Sequence, residues 1–159
     1  MKAASVNEIK QDLKKLSASQ LTELCLRLAR FKKENKELLT YLLFEADDLP
    51  AYIGNIKKQI DEDFSEMNTT NIYFAKKTLR KILRISNKYI RYTGSKEAEA
   101  EILMHYLTNL TGLKISWKKS TALTNLYQAQ LKKIKAAIEG MHEDLQYDYQ
   151  RSLDRLVDF

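Results

Sequence analysis

Helix-breaking residues are scarce in this chain. Its 159 residues include one proline and four glycines. Long helices joined by short turns tolerate that composition, whereas a β-sandwich or barrel needs such residues at its many turns. The sequence therefore predicts an all-α fold. We expect a single domain over residues 1–159 with about seven helices, arranged as stacked helical hairpins over 1–112 and a long C-terminal helix, or a hairpin, over 121–158.

Residues that begin and end helices recur along the chain. Ser5-x-x-Glu8 and Ser17-x-x-Gln20 are capping boxes, in which each side chain satisfies a backbone N–H at the start of a helix. Gly94 suits the left-handed conformation that commonly ends a helix. These signals predict helices that begin after Ser5 and Ser17 and one that ends at Gly94.

Two apolar patterns in the first third of the chain predict buried positions. The helix expected over 35–46 is apolar around its whole circumference, which is typical of a helix at the centre of a core. Cys25 lies within the apolar stripe of the preceding helix, so we expect it to be a small buried residue. The residues that carry these patterns are Leu38, Leu39, Tyr41, Leu42, Leu43 and Phe44 in the first case and Leu21, Leu24, Leu28 and Phe31 in the second.

The C-terminal segment carries a regular apolar repeat. From Thr121 to about Asp158, apolar residues follow one another at spacings of mostly four and three, as along the seam of a coiled coil. Gly140 leaves that phase intact, so we favour one long helix, with a hairpin broken at Gly140 as the alternative. A long helix of this kind often packs against a second copy, and self-association is expected there.

The segment from Met67 to Lys96 is strongly basic. It contains eight Lys or Arg residues and no Asp or Glu. At 100° per residue it separates into two arcs, which predicts a helix over about 71–92 with one buried and one cationic face. The apolar arc holds Ile72, Ala75, Leu79, Ile82, Leu83, Ser86 and Ile90. The opposite arc holds Lys77, Arg80, Lys81, Arg84, Lys88 and Arg91.

The cationic arc has three interpretations. Its charges form a solvated face that the acidic block Asp61–Glu66 of the same chain partly matches, or they bind nucleic-acid phosphates, or they bind an acidic protein that could be another copy of this chain. Trp117, Lys118 and Lys119 form a second candidate site. An aromatic ring beside two lysines could stack on a base or on a partner ring, the alternative being that the tryptophan folds back onto the domain.

Sequence motifs for catalysis are absent. The chain has no glycine-rich phosphate loop and no nucleophile elbow. Its single cysteine and two histidines are dispersed, and we expect His105 to be exposed. We therefore predict no catalytic residue, no cofactor and no metal site, and we do not expect an enzyme; the alternative is a pair of carboxylates that helix packing brings together in a cleft. With one cysteine, no apolar leader and no long apolar run, the expected location is the cytoplasm, without membrane association.

Two segments of the chain share a plan. Leu24–Phe44 and Ile82–Leu107 each contain an amphipathic helix that ends in basic residues, then a turn and a leucine-rich helix. In architecture these segments resemble the helical-hairpin repeats of HEAT-like α–α superhelix proteins. The stretch Ser17–Glu45 is also similar to a group of uncharacterised bacterial all-helical proteins. The resemblance implies stacked helical hairpins and supplies no functional residues.

These features together predict a non-enzymatic module for macromolecular binding or scaffolding that uses helix surfaces. Its expected partner is a protein, or a second copy bound through the C-terminal helix. The alternative is a nucleic-acid-binding protein that uses the basic face of the helix over 71–92.

Overall fold

The structure is a computed structural model that describes residues 1–158, and every regular element in that range is helical. The all-α prediction is confirmed. The helices are α1 (Val6–Leu13), α2 (Ala18–Phe31), α3 (Lys33–Phe44), α4 (Leu49–Ser65), α5 (Ile72–Thr93), α6 (Lys96–Thr111), α7 (Thr121–Glu139) and α8 (Glu143–Val157), with a short 3₁₀ turn at Trp117–Lys119.

The helices group into two compact units, whereas the sequence predicts one domain. The first unit is Met1–Phe44, and the second begins at Glu45. One of the two segments with a shared plan lies in the first unit, and the other lies in the second. The stacked, HEAT-like arrangement of hairpins stays a prediction.

The first unit contains α1, α2 and α3. Both predicted capping boxes are present: the Ser5 amide donates to the Glu8 carboxylate at 2.8 Å, and the Ser17 amide donates to the Gln20 side chain at 2.8 Å. Helices α2 and α3 pack together as a hairpin. Across their turn, Asn35 Nδ2 donates to the Leu28 carbonyl at 2.9 Å.

The expectation that α3 is the centre of the core is wrong. Tyr41 is its one buried residue, while Leu42, Leu43 and Phe44 are exposed to 56%, 61% and 78%. A hairpin of two helices has no third layer, so only part of each apolar circumference can be covered within the unit. Cys25 is likewise exposed rather than buried.

The centre of the second unit is α6, which packs against α4, α5, α7 and α8. Its residues Ile102, Leu103 and Leu107 are fully buried. Tyr106 is also fully buried, and its hydroxyl donates to the Leu79 carbonyl of α5 at 3.0 Å. The buried central helix is therefore α6, which follows the basic helix α5 in the chain, and not α3.

The C-terminal segment is a hairpin, so the single long helix is wrong and the break at Gly140 is confirmed. Helix α7 ends at Glu139, and the Gly140 amide donates to the carbonyls of Ala136 and Ala137, at 3.2 Å each. Helix α8 then packs back against α6 and α7. The apolar seam is used inside the unit, where Leu123, Tyr127, Ile134 and Ile138 are at most 4% exposed.

Candidate functional site

Helix α5 has the caps and the length that the sequence predicts. The Asn71 side chain accepts from the Tyr73 amide at 2.7 Å, and Gly94 ends the helix in the left-handed conformation at φ 62°. Its 22 residues span about 33 Å at 1.5 Å per residue. No carboxylate side chain lies on this helix.

The buried face of α5 matches the predicted apolar arc in six of its seven positions. Leu79 and Ser86 are at most 1% exposed, and the Ser86 hydroxyl donates to the Ile82 carbonyl at 2.9 Å, which satisfies its buried polar group. The exception is Ile72, the first residue of the helix, which is 38% exposed. Burial of this arc fixes the rotation of α5 about its axis.

The opposite face of α5 is cationic and open to solvent. Lys77, Arg80, Lys81 and Arg84 line a shallow depression of about 370 Å³. Arg91 is exposed further along the helix. Lys88 differs, because it is half-buried and its Nζ lies 5.0 Å from the centre of the Tyr89 ring.

A lysine from another helix extends this surface. Lys133 of α7 is exposed and lines a second depression, of about 400 Å³, together with Arg84 and Arg91 of α5. Glu99 of α6 also lines it and pairs with Lys96 at 3.3 Å. Sequence spacing could not indicate Lys133, because its position beside α5 depends on how the helices pack.

The acidic block Asp61–Glu66 does not match the cations of α5. Within residues 1–158, no ion pair joins Lys77, Arg80, Lys81, Arg84 or Arg91 to a carboxylate. Asp61 is instead bonded to α6, where it accepts from His105 at 2.6 Å and from Asn109 at 2.9 Å. The intramolecular interpretation of the basic face is therefore unsupported.

Exposed aromatic rings adjoin the start of the cationic face. Tyr73 and Phe74 are 69% and 51% exposed, and their ring centres are 5.6 Å apart in an edge-on arrangement. Trp117 is only 5% exposed and lies 5.1 Å from the Tyr127 ring. Of the two interpretations, the tryptophan folds back onto the domain and offers no exposed ring for stacking, although Lys118 and Lys119 beside it are exposed.

A cleft of about 620 Å³ lies between α4, α6 and α8. Glu101 is its central group: it accepts from the Lys57 ammonium through one oxygen and from the Tyr149 hydroxyl, at 2.8 Å, through the other. Burial and the hydrogen bond to Glu101 raise the pKa of Tyr149. His105 also lines the cleft and is 27% exposed at its side chain, because Asp61 holds it there.

Three polar side chains of this cleft, together with His105, are already hydrogen-bonded. The Glu101 oxygens bind Lys57 and Tyr149, and His105 Nε2 is bonded to Asp61. In the part of the chain that the structure describes, no three His, Cys, Asp or Glu side chains are placed to hold a metal ion. Over the same range, none of the helices combines the length and the apolar character that crossing a membrane requires.

Comparison of the chain with protein-family models, with curated protein sequences and with solved structures gives no match.

Proposed function

We propose that this chain is a non-catalytic binding module and that the cationic face of α5 binds the phosphate backbone of a nucleic acid. One observation carries the proposal: five exposed cations share a helix face and have no carboxylate partner among the described residues. The main alternative is a solvated face that the acidic block partly neutralises, and the contacts of Asp61 argue against that neutralisation.

The spacing of these cations makes anion binding favourable. Lys77, Arg80, Lys81 and Arg84 are three or four residues apart, so their like charges adjoin on the helix surface. Each such pair destabilises a helix by roughly 0.2–0.5 kcal/mol, and phosphates placed between them would relieve that repulsion. From Lys77 to Arg91 the face is about 21 Å long, which spans several successive phosphates.

The exposed rings of Tyr73 and Phe74 favour unpaired bases. Stacking a base on an aromatic side chain contributes about 1–3 kcal/mol and requires bases that are not held in a duplex. A single strand could therefore use both the rings and the cations, whereas a duplex could use the cations alone. We expect tighter binding to single strands.

The test is fluorescence anisotropy with a labelled single strand and the matching duplex, in about 50 and 200 mM salt. Five phosphate contacts predict that affinity falls on the order of 10²–10³-fold between these salt concentrations. The variant Lys77→Glu/Arg80→Glu/Arg84→Glu should bind neither probe measurably. The control Lys2→Glu/Lys10→Glu/Lys14→Glu changes the net charge equally, at exposed lysines of the first unit.

The control separates a site from a general charge effect. We expect it to keep at least about a third of wild-type affinity, because its substitutions leave every cation of the α5 face in place. Equal loss in both variants would show that only net charge matters. Weak wild-type binding that ignores salt would also refute the proposal.

A further inference from the structure

The α2–α3 hairpin leaves an apolar face uncovered. Cys25, Leu28, Leu38 and Leu42 line a groove along it, completed by Ala29, Leu39 and Asn35, with no charged side chain among its lining residues. We propose that this apolar face binds a second copy of the chain, so that two hairpins form a four-helix bundle. In such a bundle each hairpin supplies the apolar layer that the other lacks.

The opposite side of the same hairpin has a different character. The groove on that side also contains apolar residues, including Leu26 and Leu43, but four cations line it as well. These are Arg30, Lys32, Lys33 and Lys36. The two sides of the hairpin therefore differ in charge: the apolar groove is lined by no charged side chain, and the opposite groove is lined by four cations.

This difference in charge selects the occupant of the apolar face. A two-fold interface places the same surface on both partners, so a surface whose charges are all of one sign meets like charges. The cationic groove would repel itself and would suit an acidic partner, whereas the apolar face meets its copy without repulsion. A second copy is thus the occupant that the charge distribution favours.

The large apolar side chains of this face supply more than half of the area of a standard interface. The α2 stripe that includes Cys25 and Leu28 also contains Leu24 and Phe31, and five large side chains of the face are 36–78% exposed. At roughly 200 Å² for each fully exposed side chain they present on the order of 500 Å², against about 800 Å² per partner in a standard interface. The remaining area would come from smaller residues at the rim. The five side chains are Leu24, Leu28, Phe31, Leu38 and Leu42.

Sedimentation velocity of the full chain, from about 1 to 200 µM, tests the proposal across the micromolar range of affinity. We expect dimers whose fraction rises with concentration. The variant Leu28→Glu/Leu42→Glu should be monomeric throughout, because dimerisation would bury four carboxylates. The matched control Leu26→Glu/Leu43→Glu places the same charges in the opposite groove and should dimerise as the wild type does.

Cys25 provides a second measurement that needs no substitution. It is the only cysteine and lies on the apolar face, so dimerisation should slow its alkylation by a maleimide at least tenfold between the lowest and highest concentrations. This readout stays decisive if the glutamate variants fail to fold. A monomeric wild type, a dimer with unchanged Cys25 reactivity, or equal dissociation of both variants would each overturn the proposal.

Discussion

Single side chains connect the helices of the second unit. The Tyr106 hydroxyl of α6 donates to the Leu79 carbonyl, and the Tyr127 hydroxyl of α7 donates to the Leu156 carbonyl at 2.8 Å. Phe64 packs edge-on against the Tyr106 ring at 5.5 Å. Two polar atoms at the ends of large apolar rings thus fix how α6 meets α5 and how α7 meets α8.

Replacement of Tyr106 by Phe should lower the free energy of unfolding by about 1 kcal/mol, since it removes a buried hydrogen bond and leaves the ring in place. Urea unfolding followed by circular dichroism measures the change. The control is Tyr147→Phe, because Tyr147 is 70% exposed, and we expect no change there beyond about 0.3 kcal/mol. A loss below that value at Tyr106 would contradict a stabilising role for the bond.

The buried tyrosines also predict how stability depends on pH. Burial raises the pKa of Tyr106 well above its ordinary value of 10.0. The contribution of Tyr106 to the free energy of unfolding is therefore fully present below pH 10. It is lost as the pH rises above 10, because the unfolded chain releases the phenolic proton and the folded chain retains it. Between pH 10 and the folded pKa, each pH unit should cost about 1.4 kcal/mol for this tyrosine.

Urea unfolding at pH 9, 10 and 11 measures this dependence. The Tyr106→Phe variant should lose stability less steeply than the wild type over that range, by about one proton's contribution. Parallel curves for the two proteins would contradict the assignment to Tyr106. Tyr127 and Tyr149, whose pKa values are also raised by burial, should account for part of the remaining slope.

Among the helices, α5 was predictable because its local signals agree with its packing. The amphipathic period, the Asn71 cap and the Gly94 end all specify the same helix, and six of the seven apolar positions are buried. Sequence periodicity succeeds where one face of a helix is covered and the other is not. The orientation of the cationic face follows from the same period.

The sequence predicted less well where the outcome depends on other helices. The apolar circumference of α3 indicates burial, but the pattern does not say which element would cover it. The first unit contains too few helices to cover all of its sides. The helical spacing of apolar residues continues through Gly140, so the spacing alone does not indicate the break between α7 and α8. The cleft joins Lys57, Glu101 and Tyr149 from three separate helices, and no local pattern connects them.

Two glycines of the helices should respond in opposite directions to the same substitution. Gly94 has a φ of 62°, which an L side chain adopts at a cost of about 1–2 kcal/mol, so Gly94→Ala should destabilise the protein. Gly54 lies inside α4 with nothing within 4 Å of an added Cβ, so Gly54→Ala should stabilise it by about 0.5–1 kcal/mol. Thermal unfolding of both variants tests the pair, and a shift of the same sign would contradict this account.

At the scale of the whole molecule, the two proposed surfaces belong to different units. The cationic face of α5 is in the unit with the large core, which holds it as one continuous helix. The apolar face is in the small unit, where α2 contains no buried residue at all. A unit with a complete core can keep a charged helix face exposed to solvent. A hairpin whose apolar residues are exposed is instead stabilised by a contact that covers them.

The same contrast predicts how backbone amides exchange with deuterium. Amides of α2 and α3 should exchange by local opening, because few apolar contacts hold these helices, whereas amides of α6 should exchange only with global unfolding. Binding of a second copy stabilises the folded hairpin by mass action, so raising the protein concentration should slow exchange in α2 and α3 and leave α6 unchanged. The Leu28→Glu/Leu42→Glu variant should abolish that concentration dependence. If α2 and α3 exchanged as slowly as α6 in dilute solution, the hairpin would be stable without a partner, and the need for a second copy would disappear.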